Sequence, residues 1–377
     1  NISKFFMYLS SKEIIRTAGL MTGTSMDGLD IVITDISLNN DVHYQIIDDI
    51  SIPYPNDLKD KIRQVVYNPE LDYNKLDDYL GQWFADTLYN HLQTKEINNL
   101  DLIGSHGQTI HHISGKSSVQ IGSPQYLAEK LNVPVISDFR SADIDAGGTG
   151  APLMPKIDEW LFRNKETSVI TLNLGGIANV TFLPSKSNDY IIGFDTGPGM
   201  SLLDEAYLRK FKDGFDNRGQ LALKGNVDKK LISKWLDQSY FIQSPPKSTG
   251  RDQFGMNWLN KHIKDLDRFN FEDQLATLSF FTARTVFLGC EKFIKDHNVS
   301  KIIVSGGGAH HTCVMKFLKD LFNPIQVLPS SKLDISVDSK EALGFAIFAV
   351  AYIKEIPGNI PSVTGANKPV ILGKMTS

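Results

Sequence analysis

The same order of predicted elements occurs twice in this chain, and no other sequence feature restricts the fold as much. In the first half, residues 15–24 form an apolar run into a Gly-rich turn. Residues 28–36 alternate apolar and polar, and residues 43–52 complete a third strand-like run. Leu76, Leu80, Trp83, Phe84 and Leu88 then share one helical face, and a short apolar run enters the turn LIGSHGQTIHH at Leu102. Ser123-Pro124 reads as N-cap and first residue of a helix to Leu131, followed by the strand VPVISDF. The second half repeats this order. Residues 168–174, 177–183 and 190–194 are predicted strands, the longest helix carries Leu278, Thr282, Val286, Gly289 and Phe293, and KIIVSGGG and IQVLP are the later strands. Asp338 with Glu341 predicts a capping box on the last helix.

Strands alternating with helices imply largely parallel sheets covered on both faces, each opening here with an antiparallel hairpin. The expected fold class is α/β, two such lobes in tandem with a cleft between them. Expected boundaries are 1–137 plus 345–377 for the first lobe and 138–344 for the second. At 377 residues the chain is long enough for two domains. A Rossmann-type dehydrogenase is the competing architecture. It is disfavoured because no G-x-G-x-x-G joins the first strand to a helix.

A net charge of −4 gives no global attraction to nucleic acid or anionic membrane, so phosphate binding has to be local. Cys290 and Cys313 lack metal-ligand or disulfide spacing and read as buried thiols. The opening run NISKFFMYLSS has too few apolar residues for a signal core, and no segment has the ~20 apolar residues of a membrane span. The expected location is cytoplasmic.

Several turns carry chemistry. GLMTGTSMDGLD offers backbone N–H groups that can converge on an anion, plus the hydroxyls of Thr22, Thr24 and Ser25. It is neither a Walker A loop nor a nucleophile elbow. In IIGFDTGPGM an apolar strand delivers Asp195 to a turn of small residues, a setting suited to a general base. VSGGGAHH puts Gly306, Gly307 and Gly308 between strand and helix, where a flat group such as adenine can lie on backbone. His310 and His311 have no assigned chemistry. SHGQTIHH supplies His106, Gln108 and Thr109 as donors for sugar hydroxyls. SDFRSADIDAGGTGAPLMP supplies Asp138, Arg140 and Asp143, and PPKSTGR is a basic, hydroxyl-rich loop.

These strings, together with LNLGGIANV and PSVTGA, resemble the successive signatures of the anhydro-N-acetylmuramic acid kinases, in family order from Gly19 to Ala366. The resemblance implies a duplicated actin-like (ribonuclease H-like) α/β fold, two lobes around a central cleft, and an ATP-dependent kinase of peptidoglycan recycling. Such an enzyme opens 1,6-anhydro-N-acetylmuramic acid with water and phosphorylates O6, giving N-acetylmuramic acid 6-phosphate and ADP. It implies ATP and Mg²⁺ as cofactors and Asp195 as catalytic base. ATP contacts fall on Thr22, Gly23, Thr24, Ser25, Met26, Asp27, Gly28 and Leu29 and on Gly306, Gly307 and Gly308. Sugar contacts fall on His106, Gln108, Thr109, Arg140 and Asp143, and no metal ligand is assigned. Thr22, Thr149, Asp145 and His311 depart from the family pattern. A levoglucosan-type anhydro-sugar kinase and a non-catalytic ATP- or sugar-binding sensor are the alternatives. Neither nucleic acid nor membrane is an expected partner, and a homodimer is left open.

Overall fold

The computed structural model describes residues 2–23, 26–39, 41–68, 70–186 and 189–377. Two compact units emerge, Asn1–Leu161 with Asp338–Ser377, and Phe162–Val337. The strands, in chain order, are β1 (Ile15–Met21), β2 (Gly28–Leu38), β3 (Val42–Pro53), β4 (Leu102–Ser105), β5 (Gln108–Ile113), β6 (Ser117–Ile121), β7 (Val135–Ser137), β8 (Ser168–Leu174), β9 (Ile177–Leu183), β10 (Ile192–Pro198), β11 (Val299–Ser305), β12 (Gln326–Pro329) and β13 (Lys374–Thr376).

The first unit holds a sheet of order β13-β7-β4-β1-β2-β3 and the second a sheet of order β10-β9-β8-β11-β12. In each, the first three strands form an antiparallel meander, and the fourth and fifth add in parallel beside the first. β1 thus corresponds to β8, β2 to β9, β3 to β10, β4 to β11 and β7 to β12. β13 adds an antiparallel edge to the first sheet alone.

The sequence explains the layering. β4 is a continuous buried run, as a central parallel strand must be, whereas β3 alternates half-buried and exposed residues, as an edge does. The helix Lys340–Ile353 is buried along its whole length except at Glu341 and Tyr352. It lies on β1 and β4 at backbone distance, because Gly19 and Gly104 face it from paired positions. A Cβ at Gly19 would overlap the Ala342 carbonyl, and one at Gly104 the Phe345 carbonyl. In the second unit the helix Phe271–Asp296 covers the sheet. Its first turn is capped by the Asn270 side chain, which accepts from the Asp273 N–H at 2.8 Å. Its Phe281 packs with Trp235, Trp258 and Phe241, and Phe241 with Phe254, mainly edge-on or tilted, with ring centroids about 5–6 Å apart.

Four expectations change. The third strand of the second half starts at Ile192 and runs through Asp195 to Pro198, so Asp195 sits within β10 rather than in the turn beyond it. The capping box does not form. Ser339 is the N-cap, and its hydroxyl is committed to the Asp49 carboxylate on β3. Residues 108–112, expected in the turn of LIGSHGQTIHH, instead form most of β5, paired with β6 in a hairpin. The units divide at Leu161/Phe162 and Val337/Asp338, not at 137/138 and 344/345, so Arg140 and Asp143 belong to the first unit. The reason is Asp143, fully buried, whose carboxylate accepts from Asn359 Nδ2 and Thr364 Oγ1, both at 2.7 Å, and from the Gly150 N–H at 2.8 Å. Those bonds fasten the crossover to the C-terminal segment. Among the described residues no helix is long and apolar enough to cross a membrane.

Gly104→Ala is expected to destabilise the chain by about 3 kcal/mol or more, because the opposing atoms are backbone and cannot rotate away. Urea titration followed by tryptophan fluorescence checks this, and a midpoint equal to the parent's would contradict the seating of the helix.

Candidate active site

In the first unit the loop between β1 and β2 is held from behind. Its ends are described, whereas Thr24 and Ser25 lie outside the described residues. The Thr22 hydroxyl donates to the Gly107 carbonyl at 3.0 Å. Gln108, fully buried, donates its amide to the Gly23 carbonyl at 3.2 Å, and its Oε1 faces the Tyr54 hydroxyl at 3.4 Å. Gln108 therefore braces the loop, and its amide is not turned outward for a sugar. Met26 takes a left-handed conformation (φ 56°), its N–H donates to the Gly23 carbonyl, and the Asp27 carbonyl accepts from Tyr54 N–H. Asp27 itself pairs with Lys59. Gly28 permits β3 to pair closely, since a Cβ there would overlap the Ile52 carbonyl. Leu29 is buried core.

His106 and Arg140 form one buried group. Arg140 donates from Nε (3.2 Å) and Nη2 (2.9 Å) to His106 Nε2, and from Nη1 to the Gly150 carbonyl at 2.9 Å. Because Nε2 accepts, Nδ1 carries the proton and donates to the Gly107 carbonyl at 2.8 Å. Burial and the adjacent guanidinium push the imidazole well below its usual range, so it is neutral. Burial also lowers Arg140 to about 10, opposed by Glu341. Thr109 accepts from Gln120 Nε2 at 3.1 Å on the β5–β6 hairpin. Asp143, expected at the sugar, serves instead as the buried tie described above, and Asp145 is exposed.

Glu341 was not among the expected site residues. The start of the helix Lys340–Ile353 carries it into the field of Arg140 and Lys340, which favour its ionised form, and of Asp30 and Asp158, which oppose it. Burial raises it, as burial raises Asp30 on β2. Two carboxylates near the hairpin are thus kept difficult to ionise. No local pattern announces them.

In the second unit Asp195 sits where β10 breaks register with β9, between Asp195 and Gly197. The loop of PPKSTGR fixes it. Asp195 Oδ2 accepts from the Thr249 N–H at 2.9 Å and from Ser248 Oγ at 3.1 Å, and its own N–H donates to the Lys247 carbonyl at 2.9 Å. The Tyr240 hydroxyl donates to the Asp195 carbonyl at 2.6 Å. Oδ2 is therefore the anchored oxygen. Burial raises the Asp195 pKa, and the two donors from Thr249 and Ser248 partly oppose that rise. A carboxylate oriented and held above its ordinary pKa is what general-base work requires.

The turn Gly175-Gly176 between β8 and β9 is the counterpart of the β1–β2 loop. It accepts from the N–H groups of Gly199, Met200 and Ser201, and the half-exposed Arg251 guanidinium lies over Gly176. Of the three glycines after β11, Gly306 (φ 83°) and Gly308 pack against Leu174, so a side chain would clash there. Gly307 alone is open, with nothing within 4 Å of a Cβ. His311 caps the following helix, its Nδ1 accepting from the Val314 N–H at 3.3 Å. Cys290 and Cys313 are buried free thiols, raised by burial to about 12 and about 11.

A meander of three antiparallel strands followed by two parallel strands, built twice with glycine-rich turns after the first strand of each, defines the duplicated actin-like class. The family described as "Anhydro-N-acetylmuramic acid kinase" matches residues 15–377. The chain is 37% identical to the anhydro-N-acetylmuramic acid kinase of Clostridioides difficile (strain 630), over 96% of this chain and 98% of that one. It is 38% identical to those of Coxiella burnetii (strain Dugway 5J108-111), over 95% and 96%, and of Picosynechococcus sp., over 96% and 99%. The chain belongs to the anhydro-N-acetylmuramic acid kinase family and is a kinase.

Titration of the Asp195 carboxyl carbon by NMR should give a pKa above the ordinary aspartate value. Ser248→Ala should move it further up, because the lost hydroxyl stabilises only the ionised form. A downward shift, or none, would contradict the anchoring.

Proposed function

We propose that the chain catalyses the ATP-dependent, hydrolytic opening of 1,6-anhydro-N-acetylmuramic acid and phosphorylation of its O6. The products are N-acetylmuramic acid 6-phosphate and ADP, in the cytoplasmic recovery of peptidoglycan fragments. The observation that carries this reading is the Asp195 carboxylate at the β10 bulge, anchored through one oxygen and raised by burial.

Glycoside hydrolysis ordinarily needs two carboxyl groups, one to activate water and one to protonate the leaving oxygen. An intramolecular anhydro bond changes that requirement, because the leaving O6 stays tethered to the sugar and can take a phosphoryl group. In the proposed sequence Asp195 removes a proton from water, the water oxygen bonds to C1 and the C1–O6 bond breaks. O6 then bonds to the γ-phosphorus as the bond to the β–γ bridging oxygen breaks, releasing ADP. The proton on Asp195 passes to solvent. Phosphoryl transfer of this kind depends on positioning and electrostatics more than on covalent chemistry. The β1–β2 loop, held by Gln108 and Thr22, supports phosphate positioning, and the open backbone at Gly307 supports an adenine seat. Arg140 keeps two N–H groups beyond its bonds to His106 and Gly150, which suits it to the sugar.

Among the described residues no cluster of three or more His, Cys, Asp or Glu side chains could hold a metal ion. Mg²⁺ is usually bound through one or two carboxylates and substrate phosphates. Asp30 and Glu341, carboxylates in each other's field, are the residues that would hold it, and the ion would favour their ionised forms. Bound there, the ion would neutralise charge on the phosphates.

In ¹⁸O-water the label is expected at C1 of the phosphorylated product, read by mass spectrometry; label absent from C1 would refute coupled hydrolysis. Asp195→Asn is expected to lower turnover ~10²–10⁴-fold for ring opening and phosphoryl transfer together, with nucleotide binding retained. Near-parental turnover in the folded variant would remove Asp195 from the role of base.

A further inference from the structure

β10 is an edge strand of the second unit's sheet, so its outward N–H and C=O groups have no neighbouring strand to pair with. At Asp195 two residues from outside the sheet take that place. The Asp195 N–H donates to the Lys247 carbonyl at 2.9 Å, and its carbonyl accepts from the Tyr240 hydroxyl at 2.6 Å. These two residues also hold each other. Lys247 Nζ donates to the Tyr240 carbonyl at 2.9 Å and lies 4.5 Å from the centroid of the Tyr240 ring. Asp195, Tyr240 and Lys247 therefore form a closed cycle of three hydrogen bonds.

The cycle sits on the bulge, where the register of β10 against β9 shifts between Asp195 and Gly197. A Cβ at Gly197 would meet the Phe241 ring at 2.9 Å, so the short helix Ser239–Ile242, which carries Tyr240, is seated against the bulge. Tyr240 is 4% exposed. Burial and the charge of Asp195 both raise its hydroxyl, which therefore stays a donor. Lys247 is half-buried and lowered by burial. These are the titratable groups bonded to Asp195, and both meet its backbone. Its carboxylate meets the Ser248 hydroxyl and the Thr249 N–H instead. Those two donors follow Lys247 directly in the chain, so whatever holds Lys247 also holds them.

We infer that Tyr240 and Lys247 are positioning residues for Asp195. Lys247 fixes the Tyr240 ring, the two together fix the Asp195 backbone, and the loop so held presents the donors of the carboxylate. The inference rests on Asp195 as the proposed base. Steady-state kinetics of the full chain and NMR titration of the Asp195 carboxyl carbon test it together. Tyr240→Phe and Lys247→Met should each lower kcat about ten- to hundredfold, as a small misplacement of a catalytic group does, with the KM for ATP unchanged. Each should raise the carboxyl pKa, because the loosened donors stabilise only the ionised form, and should move the acid limb of kcat to higher pH. Lys247→Arg, which keeps a cationic donor, should recover most of both effects. The double variant should cost no more than the larger single change, since either one opens the same cycle. A carboxyl pKa at the parental value in both single variants, or effects that add in the double variant, would overturn the positioning role. A raised pKa with parental turnover would support the cycle and remove Asp195 from the role of base, so the two claims fail separately.

Discussion

The seating of the helix Lys340–Ile353 on β1 and β4 is the constraint on which the first unit depends. Two glycines in register let backbone meet backbone, and the helix answers with alanines at 342, 346 and 349. Such a contact tolerates no added carbon, so it fixes the helix in translation as well as rotation. Its first turn then has defined positions. Ser339 reaches Asp49, Lys340 pairs with Asp158 at 2.7 Å in a buried ion pair, and Glu341 faces the charges of Arg140 and Asp30. A helix shifted by one residue would lose all three.

The buried charges divide by how they are satisfied. Lys340–Asp158 is paired, Asp143 accepts three hydrogen bonds, and Arg140 shares its N–H groups with a neutral imidazole. Removing one partner from such an arrangement leaves an uncompensated buried group, which is strongly destabilising. Asp195, Asp30 and Glu341 differ, since burial raises each of them and their donors do not cancel it. Their ionised forms are held at a cost to the fold, as functional groups often are.

Much of the architecture was legible because it rests on local signals. The strand order, the Ser123-Pro124 helix start and the buried thiols follow from periodicity, capping and composition. What was not legible depends on distant partners. Gln108 belongs to a donor-rich string, yet Tyr54 and Gly23 turn it inward, and Asp143 points to Asn359 and Thr364, more than 200 residues away. Glu341 read as a capping residue because only the tertiary packing of its helix brings it to Arg140. The three glycines after β11 read alike, although packing claims two and leaves Gly307 open. Asp195 stood out as a carboxylate carried by an apolar strand, but the bulge that orients it belongs to the pairing of β10 with β9, which no single strand reveals.

The bonds from Asp143 to Asn359 and Thr364 bear on the order in which the chain can fold. They span 216 and 221 residues, and the whole second unit lies inside the loop they close. The helix on β1 and β4, late in that loop, and the strand β13 beside β7, beyond it, both follow the second unit in the chain. During synthesis the second unit is therefore complete before the first has its covering helix. The first unit must wait with its sheet uncovered, the state in which exposed apolar strands are most prone to aggregate. Closing so long a loop adds only ~0.6 kcal/mol for each doubling of its length, so equilibrium stability is little affected. The burden falls on folding rate, and a circular permutation joining the two termini and opening the chain within the second unit would relieve it by making the first unit contiguous.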